Sequence, residues 1–124
     1  MPNPFLSSAG PRFVNRDEIL AVARETARRI AAAHPQVLRV ILFGSFARDD
    51  YGIRSDLDLL IILKESEKPV SERLEECLRH VSAYPTDIFP LTEAEIESRL
   101  EEGDAFLQRA LSEGVLLYPD PDEA

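Results

Sequence analysis

Cysteine is nearly missing from this chain of 124 residues: Cys77 stands alone, so no intrachain disulfide can form. That pattern fits a reducing, cytoplasmic setting. Long hydrophobic runs are missing too. No stretch approaches the roughly 20 apolar residues that a membrane helix needs, and the opening "MPNPFLSSAGPRFV" has no basic segment followed by an apolar one, so no secretory signal is expected. Positive charge is in short supply, with 14 Lys and Arg against 23 Asp and Glu and a formal net charge of −9. A surface that holds nucleic acid by neutralising phosphates is therefore not expected. There is no internal repeat, and no low-complexity segment away from the ends.

What is present suffices for one compact domain, since 44% of the residues are hydrophobic and 30% charged. Residues 1–14 read as a flexible tail rich in Pro, Ser and Gly, 15–119 as the folded domain, and 120–124 as a loose acidic tail. Asn15 and Glu18 form a capping-box pattern ahead of Ile19, Leu20, Ala23, Ala27 and Ile30, which recur at helical spacing until Pro35. "VLRVILF" (37–43) and "DLDLLIIL" (56–63) read as buried strands, with a short helix at "SFARD" and a turn near Tyr51-Gly52 between them. A helix is expected over 71–83, with Leu74, Leu78 and Val81 inward and Cys77 in or near the core.

"TDIFPL" (86–91) reads as a third strand, kept to an edge or bulge by Pro85 and Pro90. Thr92 and Glu95 cap a helix to about 102, a second helix spans 104–112, and "VLLY" (115–118) closes the chain as a short strand. The expected class is α/β (α+β): a mixed sheet of mostly short strands covered by helices. His34 and His80 read as helix-surface residues.

Two aspartates at the mouth of an apolar strand need a reason. Alternation puts Asp56 and Asp58 on the same face, about 6.6 Å apart at the Cα. Carboxylates that close raise each other's pKa unless a cation lies between them. The pair is thus either a destabilising feature or a seat for a hard divalent ion such as Mg²⁺; the plain alternative is a strand-edge pair that caps a turn with Ser55. Upstream, Gly44-Ser45 closes one strand and opens a helix, where a phosphate can approach the backbone and the Ser45 hydroxyl can donate a bond. Arg48, one turn on, can reach a phosphate or serve as a surface ion-pair partner. A nucleoside triphosphate with Mg²⁺ fits both seats.

The stretch "GSFARDDYGIRSDLDL" resembles the motif of the polymerase-β-like nucleotidyltransferases, and within them the minimal nucleotidyltransferases (MNT domains). Gly44, Ser45, Ala47, Arg48, Ser55, Asp56, Asp58 and Leu59 stand at the motif positions. The resemblance implies that family's fold over roughly residues 15–119. It implies that Asp56 and Asp58 bind Mg²⁺, in all two ions, and that a third acid on a neighbouring strand joins them. Asp87 is the candidate for that acid and for activating the attacking hydroxyl; its plain alternative is a turn aspartate after Pro85. Gly44, Ser45, Arg48 and Ser55 would contact the nucleotide.

The implied reaction is transfer of AMP from ATP to an acceptor hydroxyl, with pyrophosphate leaving. The implied partner is an all-helical HEPN protein, whose toxicity this chain would neutralise as the antitoxin of a toxin–antitoxin pair. A departure from the motif is Asp49, where a glycine usually follows the arginine, with Asp50 next to it. The added negative charge gives weight to a binding module that neutralises its partner by association. A stand-alone transferase acting on a small molecule such as an antibiotic, its acceptor pocket completed by homo-oligomerisation, is a third reading.

Overall fold

The computed structural model describes residues 15–48, 56–81 and 84–122. Helix α1 (Arg16–Ala33) leads into β1 (Val37–Phe43), the single turn α2 (Ser45–Arg48), β2 (Leu57–Leu63), α3 (Val70–Leu78), β3 (Thr86–Thr92), α4 (Glu93–Glu101), α5 (Ala105–Glu113) and β4 (Val115–Tyr118). Asn15 Oδ1 caps α1 by accepting from the backbone N–H groups of Asp17 and Glu18, at 2.9 and 3.3 Å.

The four strands lie in the order β3-β2-β1-β4. β1 runs antiparallel to β2 and β4, whereas β2 and β3 are parallel. A mixed sheet with helices on both faces is the class the sequence predicts. The edge position of β3 also follows expectation: Pro90 has no N–H to give a further neighbour.

Each face of the sheet owns a core. Ile19, Leu20, Ala23, Ala27 and Ile30 of α1 pack with Val40 and Leu42 of β1 and with Leu57, Leu59 and Ile61 of β2. On the other face Ile41, Phe43, Leu60 and Ile62 meet Leu91, Ile96 of α4, and Leu107 and Ala110 of α5. β2 supplies both layers, and fully burying each of its Leu and Ile side chains is worth about 1.5–3 kcal/mol. Such two-sided burial explains the apolar run over 59–63.

Two expectations are corrected. The helix expected over 71–83 spans Val70–Leu78, closed by short turns from His80 N–H to Cys77 O and from Val81 N–H to Leu78 O. Leu78 points outward, 45% exposed, while Cys77 is buried. The inward row is set by Arg73 and Cys77 at helical spacing, because the Arg73 guanidinium finds acceptors beneath the helix: Lys68 O at 2.9 Å, Pro90 O at 3.2 Å and Glu95 Oε1 at 2.7 Å. Glu95 also accepts from Thr92 N–H at 2.8 Å, completing the capping box of α4. Its carboxyl is held down at about 2, first by the Arg73 hydrogen bonds.

The second correction is His34. It caps the end of α1 instead of lying on its surface, edge-on to His80 at 5.6 Å between ring centroids. Its Nδ1 stands 4.0 Å from Glu76 Oε2, and its Nε2 is buried with no hydrogen-bond partner among the described residues. Burial holds the imidazole pKa below its ordinary value.

Candidate active site

The site is built where β1 ends and β2 and β3 begin. Phe43 pairs with Asp58 across the antiparallel ladder, and Asp58 pairs with Asp87 across the parallel one. Register and alternation therefore carry Asp58 and Asp87 to neighbouring positions on one sheet face, the face that holds Leu60 and Phe89 further along. Asp56, exposed, precedes β2 by one residue on the Asp58 side. Asp58 is half-buried, and its carboxyl is pushed up to about 6 by burial, then by Asp87 and Asp56, with Arg48 pulling the other way.

Gly44 is needed twice over. Its φ of +76° lies in the left-handed region that strains a side chain. In addition, a Cβ there would run into Asp58 Oδ2. Only a glycine lets β1 turn into α2 while the Asp58 carboxylate closes up against the turn. Ser45 then opens α2, whose last residue, Arg48, returns a backbone bond to Gly44 O at 3.1 Å.

Of the residues singled out from the sequence, Asp56, Asp58, Asp87, Gly44, Ser45 and Arg48 come together at this end of the sheet. Ser55, with Asp49, Asp50 and Tyr51, lies outside the described residues. Local sequence reading missed the residues that α5 brings. Phe106 packs on Phe43 and Phe89 with ring centroids 5.2 and 5.3 Å apart, making an aromatic floor beside the acids. Arg109 and Glu113 sit further along the same helix, and with Gly44, Arg48 and Phe106 they line a groove of about 460 Å³. No spacing rule links residue 44 to residue 109; only the packing of α5 on β1 does.

A larger hollow of about 830 Å³ lies at the opposite end of β1 and β2, bounded by His34, Lys68, Arg73 and Glu76. Volume favours it, but chemistry does not: Lys68 pairs with Glu76 and Arg73 with Glu95. The crowded acids beside Gly44, where burial and mutual repulsion raise the Asp58 pKa in spite of Arg48, make the better reactive centre.

A mixed α/β sheet with acids at the starts of two parallel strands, beside a glycine turn, is the arrangement that the resemblance to nucleotidyltransferases implies. The family model for the nucleotidyltransferase domain matches residues 23–116, and the chain belongs to that family of enzymes. Two Methanocaldococcus jannaschii proteins named as candidate protein adenylyltransferases are similar to it. One is 38% identical, over 54% of this chain and 67% of that protein; the other is 30% identical, over 67% of this chain and 80% of that protein. The crystal structure of a candidate nucleotidyltransferase from Sulfolobus solfataricus superposes with a TM-score of 0.61 at 26% identity, covering 82% of this chain and 80% of that one. Among the described residues no helix is long and apolar enough to cross a membrane.

Proposed function

We propose that this domain transfers an adenylyl group from magnesium-bound ATP to a hydroxyl of a protein acceptor. The observation that carries the reading is the register of Asp58 with Asp87, with Gly44 shaped to sit against the Asp58 carboxylate. The names of the archaeal relatives support AMP as the group and a protein as the acceptor.

The residues suit magnesium. They offer hard carboxylate oxygens, and Asp58 keeps its proton up to about pH 6, a state that a divalent cation would relieve. Among the described residues no group of three or more His, Cys, Asp or Glu is placed to enclose an ion unaided. That accords with a metal that takes one or two carboxylates and completes its shell with substrate phosphates. Asp56, Asp58 and Asp87 would serve two such ions between them, one or two carboxylates to each. When bound, magnesium would neutralise the acids and draw charge from the phosphate oxygens.

Gly44, Ser45, Arg48 and Ser55 receive the triphosphate. The acceptor oxygen attacks the α-phosphorus, and Asp87 takes the hydroxyl proton. A new oxygen–phosphorus bond forms as the bond to the bridging oxygen breaks, and pyrophosphate leaves with that electron pair. We assign the acceptor to an all-helical HEPN-type partner, with this chain as its cytoplasmic antitoxin.

The test is to incubate the protein with labelled ATP, Mg²⁺ and the product of the neighbouring gene. Label should enter the partner with wild type and be lost with Asp58→Asn. A partner that stays unlabelled while both proteins suppress it equally would overturn the transfer reading in favour of neutralisation by binding.

A further inference from the structure

We infer that Arg109 of α5 is a positioning residue that, together with Arg48, holds the departing pyrophosphate in the groove beside Gly44. The inference rests on the adenylyl-transfer reading above. It adds to that reading a residue outside the Gly44–Leu59 motif and a direction for the reaction across the sheet.

The strand order supplies the direction. β3, β2 and β1 are neighbours, so Asp87, Asp58 and Gly44 form a row across the sheet. In phosphoryl-type transfer the attacking and leaving oxygens lie roughly in line on opposite sides of phosphorus. A hydroxyl deprotonated at the Asp87 end of the row sends its leaving group off at the Gly44 end. The groove of about 460 Å³ begins there, since Gly44 is one of its walls.

The lining of that groove suits a polyanion. Arg48 comes from α2 and Arg109 from α5, so the two guanidinium groups face it from different elements. Among the described residues Glu113 is the one carboxylate on its wall, and it stands 3.8 Å from Arg48 and 3.9 Å from Arg109. The planar, permanently charged Arg109 fork, weakly engaged by Glu113, can re-pair with phosphate oxygens. Such positive charge stands out in a chain of net charge −9. The Arg109 side chain is 68% exposed, so its replacement leaves the core untouched.

The experiment is competition binding in Mg²⁺ with three probes: ATP, inorganic pyrophosphate and AMP. Arg109→Gln should weaken ATP and pyrophosphate about tenfold, the size of one charge-assisted contact, and leave AMP within about twofold. Arg109→Lys should restore part of the loss. Glu113→Gln should act oppositely and tighten pyrophosphate, because the competing carboxylate is gone.

Unchanged pyrophosphate affinity in Arg109→Gln overturns the inference. So does an equal loss for AMP, which would mean that the residue acts through the fold. A wild type that binds ATP and pyrophosphate regardless of Arg109 leaves the adenylyl-transfer reading standing. A wild type that binds neither ATP nor pyrophosphate removes that reading and this inference with it.

Discussion

The two ends of the central strands carry charge in opposite ways. Around Arg73, at the end where β1 begins and β2 stops, opposite charges meet: the guanidinium bonds Glu95 and two backbone carbonyls, and Lys68 pairs with Glu76. At the other end Asp58 is pressed between burial and two further carboxylates. The first arrangement satisfies itself and stiffens the edge of the sheet. The second is costly without a cation, and a fold keeps such a cost where binding repays it. The difference separates a structural charge cluster from a reactive one better than cavity size does.

The sharpest way to break the comparison is to remove an acid. Asp87→Asn should lower transfer by about 10²–10⁴-fold, the range for a lost general base, measured as labelled AMP incorporated per unit time. A comparable loss from Arg73→Met would erase the distinction. That substitution should instead destabilise the fold by about 1–3 kcal/mol, because Pro90 O and Lys68 O lose their donor and the half-exposed Glu95 loses its partner, while nucleotide affinity of the protein that remains folded stays near wild type. Denaturant midpoints and ATP titration together separate the two outcomes.

Gly44→Ala tests the joint between the regions. Left-handed backbone and the clash with Asp58 Oδ2 act together, so about 1–3 kcal/mol of stability should be lost along with nucleotide binding. An alanine that is tolerated in both assays would mean that Asp58 does not close against the turn.

The smallest effect is one of pH, and its sign differs between the ends. Asp58 holds its proton more tightly folded than unfolded, so its ionisation penalises the native state as pH rises from about 4 to about 6. Asp58→Asn should therefore stabilise the protein above pH 6, on the order of 1 kcal/mol after discounting for solvent screening, and change nothing at low pH. Glu95 behaves oppositely. Its folded pKa is depressed to about 2, so the stability it adds is present above its unfolded value and fades as pH falls through about 2. Thermal melts of Glu95→Gln and Asp58→Asn against pH should thus diverge in opposite directions at neutral pH.

Much of this fold was legible because its elements obey local rules. The apolar run of β2, the Thr92–Glu95 capping box and the edge position forced on β3 by Pro90 each follow from a few adjacent residues. The aspartates stood out for the same reason: an acid pair at a strand mouth is locally expensive. In α3 a tertiary partner outweighs the periodicity that points Leu78 inward. The acceptors for Arg73 lie on β3 and α4, and they draw a charged residue inward while Leu78 turns out. Nothing local to His34 reveals its cover, because His80 and Glu76 arrive from α3 and the turn that follows it. Arg109 and Phe106 were invisible as site residues, since nothing near them in sequence says that α5 packs beside Gly44.

The most direct measurement is calorimetric titration of ATP into wild type and Asp58→Asn at pH 7.5, with and without Mg²⁺. Saturable binding by wild type only when Mg²⁺ is present, and its loss in the variant, is the expected result. Equal binding by both proteins, or binding indifferent to Mg²⁺, would contradict the assignment of the acid end as the nucleotide centre.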